Sequence, residues 1–83
     1  MTIRLKTVCP EFLGQLPDGE YEVAEGCAAA QALTACMEQA GLASLPEAQR
    51  TKLLYMRNGR HVKPSEPLCA GDRLTVLRPL TGG

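Results

Sequence analysis

Gly71-Asp72-Arg73-Leu74-Thr75-Val76-Leu77-Arg78-Pro79-Leu80-Thr81-Gly82-Gly83 divides into a turn, a strand and a tail. Gly71-Asp72 is turn chemistry. From Arg73 to Leu77 polar and apolar residues alternate, which turns Leu74 and Val76 to one face and Leu77 to the other. Pro79 has no N–H for a β-ladder and ends the strand. Residues 79–83 are left as a tail. Leu77 faces away from the core beside that tail, so it is either covered by a loop or open as a docking patch.

Working back toward the N-terminus, Asn58-Gly59 is a strong hairpin signal, because both residues tolerate positive φ. It joins an apolar run, Leu53 to Met56, to a return strand, Arg60 to Val62. Pro64 and Pro67 make an irregular crossing to the last strand. Ser44-Leu45-Pro46-Glu47 fits a capping box with proline in the first turn, which predicts a short helical turn. Further back, Cys27 to Ala40 places Ala29, Leu33, Cys36, Met37 and Ala40 on one helical arc, with Gln31, Thr34 and Glu38 opposite. Gly41 stands where a left-handed C-terminal cap belongs. Thr2 to Val8 alternates with Ile3 and Leu5 inward, and Glu20 to Val23 alternates with Tyr21 and Val23 together. Pro17-Asp18-Gly19 turns the chain before the second strand.

The predicted order is β-β-α-β-β-β, with the last strand lying centrally. One helix packed on a mixed sheet in this order is the ubiquitin-like β-grasp arrangement, of α+β class. The 83 residues make a single domain with a thin core.

Charge limits the partners. Lys plus Arg and Asp plus Glu are nine each, so no basic excess argues for nucleic acid or an anionic membrane. No apolar run approaches a membrane span, and the N-terminal residues lack a signal-peptide pattern. The expected location is the cytoplasm. There the four cysteines, Cys9, Cys27, Cys36 and Cys69, are expected to be reduced. They form no C-x-x-C pair, so neither a metal site nor the cysteine cluster of a [2Fe–2S] ferredoxin is expected. Cys27, near a helix start, could have a lowered pKa or be an ordinary first-turn residue. His61 reads as a solvated strand residue without an orienting partner.

The pattern Asn58-Gly59-Arg60, Pro67-Leu68, Gly71-Asp72 and the ending Thr81-Gly82-Gly83 resembles the ThiS/MoaD family of ubiquitin-like sulfur carriers. The likeness is closest in style to MoaD, the small subunit of molybdopterin synthase. It departs from that pattern at Arg78, where a second proline is common, and in a first strand without aromatics. A ThiS carrier usually lacks much of a segment like Gly41 to Lys52.

The resemblance implies a carrier that is itself no enzyme and binds no cofactor. An E1-like adenylating enzyme of MoeB/ThiF type would consume ATP to activate Gly83. A persulfide donor would supply sulfur, and an acceptor such as a molybdopterin synthase large subunit would receive it. Gly83 and Gly82 are then the chemical site, and Leu77, Arg78, Pro79, Leu80 and Thr81 the partner-docking stretch. The alternatives are a thiamine or other sulfur route, a protein modifier that joins Gly83 to lysines, and a plain interaction module with an inert tail. The physical logic of the ending is independent of the likeness. An ionised carboxylate is a poor electrophile until its oxygen becomes a leaving group. Glycine, having no Cβ, lets that carboxylate enter a narrow enzyme channel.

Overall fold

The computed structural model describes residues 1–8, 16–43 and 45–78. Strand β1 is Thr2–Val8, β2 Gly19–Glu22, β3 Leu54–Arg57, β4 Arg60–Val62 and β5 Arg73–Leu77. Helix α1 is Ala29–Gln39, and a short helix α2 is Glu47–Arg50. The strands form one sheet in the order β2-β1-β5-β3-β4. The β1–β5 pair is parallel, with Leu5 against Leu74. The β1–β2, β3–β5 and β3–β4 pairs are antiparallel. The sheet is mixed, with β5 at its centre as the sequence predicts.

Alternation decides which face is buried. Ile3, Leu5, Leu74 and Val76 are essentially inaccessible and meet Leu33, Cys36 and Met37 of α1 in the core. Ala32 is also fully buried, which allows the helix to lie close to the sheet. Tyr55 is a large core residue, and its phenol donates to the Arg50 carbonyl at 2.8 Å, so the buried hydroxyl is not left unpaired. Full burial of residues such as Leu33 stabilises the fold by about 1.5–3 kcal/mol each.

Helix α1 starts two residues later than its sequence pattern suggests. Ala28 is extended, at φ −73 and ψ 159, and bridges Pro67. The Leu68 N–H donates to the Cys27 carbonyl. The irregular crossing therefore draws Cys27 and Ala28 into β-like pairing and out of the helix. It also supplies what a missing Ser or Asp cap would have supplied. The N–H groups of Ala29 and Ala30 donate to the carbonyls of Glu66 and Pro64, and Gln31 Oε1 accepts from the Ala28 N–H. At the other end Gly41 has φ +76. Its N–H bonds the Glu38 carbonyl and that of Leu42 bonds Met37, the paired bonds of a Schellman cap. The short helix α2 stands where the capping-box pattern puts it, although Ser44 lies outside the described residues.

Candidate functional site

The site begins at the end of β5. Leu77 is the last residue of that strand and is half-buried, and Arg78 follows, exposed. Pro79, Leu80, Thr81, Gly82 and Gly83 lie outside the described residues. Cys9 does so too.

Register explains the position of Leu77. On the face turned away from α1, Leu77 pairs with Val8 on one side and Leu54 on the other. Val8 is a large apolar residue left 51% exposed, and Leu54 is half-buried. These three form an apolar row across β1, β5 and β3 at the end of the sheet where β5 finishes. Leu77 is thus half-buried, with Val8 and Leu54 as its strand neighbours on the outer face. The next row runs Lys6, Thr75, Met56 and His61, and the one beyond pairs Arg4 with Arg73. His61 is exposed at the sheet edge, as expected.

Val8 and Leu54 escaped the sequence reading for different reasons. Val8 continues the outward phase of Arg4 and Lys6, so its position was available from alternation alone. Leu54 sits in the unbroken apolar run Leu53 to Met56, where period two leaves no signal.

The other end of β5 is anchored by a polar cluster. Asp72 is 6% exposed. Its carboxylate accepts from Arg57 Nε at 2.6 Å, Asn58 Nδ2 at 3.0 Å and the Cys69 N–H at 2.7 Å. Asn58 Oδ1 accepts from the Arg73 N–H, and the Asn58 N–H donates to the Arg73 carbonyl. Asn58 and Gly59 have φ +53 and +83, the left-handed pair of a tight hairpin. Asp72 therefore ties the β3–β4 hairpin to the turn that launches β5. Burial pushes its carboxyl up, but the Cys69 N–H, the Asn58 and Arg57 hydrogen bonds and the Arg57 charge outweigh that and hold it below its ordinary value. The Asn-Gly and Gly-Asp elements of the sequence pattern are thus structural here, while Pro67 and Leu68 pair instead with Ala28 and Cys27 at the helix start. The first two fix the start of β5.

Among the described residues Cys27, Cys36 and Cys69 are free thiols. Burial pushes Cys36 up to about 12 and raises Cys27 as well, so the helix start does not activate Cys27.

A model of the ThiS family matches residues 11–83, nearly the whole chain. The chain belongs to the ThiS family. No curated protein matches this ThiS-family chain in sequence. Among solved structures, SAMP1 from Haloferax volcanii superposes with a TM-score of 0.71 at 19% identity, covering 100% of both chains. The H. volcanii small archaeal modifier protein 1 gives 0.69 at 20% identity, covering 95% of this chain and 98% of the other. A Pyrococcus furiosus protein provisionally named molybdopterin converting factor subunit 1 gives 0.66 at 17% identity, covering 96% and 99%. At these identities the likeness establishes the ubiquitin-like β-grasp fold. It matches the expected β-β-α-β-β-β order, with the short α2 added.

Proposed function

We propose that this ThiS-family chain is a cytoplasmic sulfur carrier rather than a catalyst, working through the carboxylate of Gly83. An E1-like enzyme joins that carboxylate to the α-phosphate of ATP, releasing pyrophosphate and leaving an acyl-adenylate. A persulfide sulfur then attacks the acyl carbon and expels AMP. A thiol cleaves the resulting acyl disulfide and leaves a C-terminal thiocarboxylate, which an acceptor enzyme consumes. The acceptor proposed is the large subunit of a molybdopterin synthase, with this chain as its MoaD-like small subunit. ATP is consumed by the activating partner, and the carrier itself holds no cofactor.

The observation that carries this reading is the family match, which runs through Gly82 and Gly83. The geometry is compatible with it. The central strand is fixed at its start by Asp72 and ends beside the apolar row of Val8, Leu77 and Leu54. That row, with Arg78, Pro79, Leu80 and Thr81, is the proposed docking stretch for the partner enzymes. Extending the chain by one residue after Gly83 tests the reading. Pyrophosphate exchange catalysed by the adenylating enzyme should be lost while the thermal melt stays unchanged. Exchange that survives the extension would refute it.

The structural likeness to a small archaeal modifier protein motivates a second reading, in which the activated Gly83 is joined to a lysine. The product separates the two: an isopeptide on a target protein or a thiocarboxylate on Gly83.

A further inference from the structure

The outer sheet face is not uniformly apolar. Arg4 on β1 stands directly beside Arg73 on β5, and Lys6 lies one row along, beside Thr75. Like charges placed opposite one another on adjacent strands are destabilising. Arg4 has one weak offset, an exposed contact to Glu20 at 3.4 Å. Neither Lys6 nor Arg73 has an ion-pair partner among the described residues. Arg57, by contrast, lies against both Asp72 and Glu66. An open groove of about 590 Å³ runs between Arg4, Lys6, Arg73, Thr75 and the Asn58-Gly59 turn. With net charge zero, the cationic groove is a local segregation of charge and not a basic excess.

We infer that this groove receives an acidic segment of a protein partner. The groove adjoins the apolar row, so one partner surface would meet both, with carboxylates over Arg4, Lys6 and Arg73 and apolar residues over Val8 and Leu77. The inference rests on the carrier reading only in naming that partner as the adenylating enzyme. Bound carboxylates relieve the repulsion between Arg4 and Arg73 that the free chain carries, and they orient the approach so that the tail meets the active site.

Three measurements decide it. In the first, the ¹⁵N-labelled full chain is titrated with a short poly-glutamate peptide. The amides of Arg4, Lys6, Arg73 and Thr75 should shift, and the shifts should vanish near 1 M salt, where the Debye length is about 3 Å. Arg73→Glu should abolish them. Arg60→Glu, an equal charge change outside the groove, should not. In the second, the combined Arg4→Glu, Lys6→Glu and Arg73→Glu variant should raise the KM for adenylation about tenfold or more at low salt, with kcat unchanged. In the third, Arg73→Gln should keep or raise the melting temperature, because it removes a repulsion.

Peptide shifts elsewhere on the fold, or shifts indifferent to Arg73→Glu, would overturn the inference. So would tighter binding of a single-stranded oligonucleotide to the same face, self-association through it, or a lowered melting temperature in Arg73→Gln. If no enzyme adenylates Gly83, the carrier reading fails on its own, and the peptide titration still decides whether the groove takes carboxylates.

Discussion

Replacing Val8 by Asp should separate docking from folding. Val8 keeps 51% of its surface exposed in the free chain. Fully burying a valine side chain is worth roughly 1.5–3 kcal/mol, so about half of that, near 1 kcal/mol, remains for a partner to gain. Val8→Ala should therefore weaken partner binding only about fivefold. Val8→Asp adds a carboxylate that the docked interface would bury without a counter-charge in the apolar row. Leaving a charged group unpaired in an interface costs about 2–5 kcal/mol, or at least about thirtyfold in affinity. The folded monomer should lose only about 1 kcal/mol, the span of strand propensity in a half-exposed position. Calorimetric titration against the adenylating enzyme, with thermal melts on the same samples, reads both quantities. Unchanged affinity in Val8→Asp, with the fold intact, would remove the apolar row from the docking surface. Leu77→Ala is a poorer probe, because its partly covered side chain contributes to stability as well.

Two further outcomes test the structural account. Asp72, held below its ordinary carboxyl value in the folded chain, contributes stability that is present at neutral pH and lost as pH falls through its folded pKa. Between wild type and Asp72→Asn, the gap in melting temperature should therefore be widest near neutrality and narrow below about pH 4, and a gap independent of pH would refute the assignment. Cys36, fully buried and pushed up to about 12, should resist alkylation at about pH 8 in the native chain, whereas exposed Cys69 should react; peptide mass spectrometry after iodoacetamide shows which thiol is modified, and rapid Cys36 labelling would contradict its burial.

Much of this architecture was legible because period and punctuation agree. Ile3, Leu5, Leu74 and Val76 alternate cleanly, Gly41 marks the helix end, and Asn58-Gly59 marks the hairpin. The helix start was not legible. Ala-rich periodicity extends through Cys27 and Ala28, and only the long-range pairing to Pro67 and Leu68 removes them. The role of Asp72 was hidden for a similar reason. Gly71-Asp72 reads as a turn in isolation, and its hydrogen bonds to Arg57 and Asn58 span 15 and 14 residues. The apolar row was half visible. Leu77 could be phased from its own strand, but the row it belongs to depends on β1 and β3 arriving on either side of β5. The cationic groove was invisible to composition, since equal numbers of opposite charges say nothing about where each sign lies.

The most direct test of the carrier reading is the intact mass of the full chain after incubation with ATP, its adenylating enzyme and a persulfide donor with a thiol. The account predicts a mass gain equal to the exchange of one oxygen for one sulfur, located on Gly83 by fragmentation and absent when Gly83 is deleted. An unchanged mass under conditions where the enzyme demonstrably adenylates another ThiS-family carrier, or a gain that persists without Gly83, would contradict it.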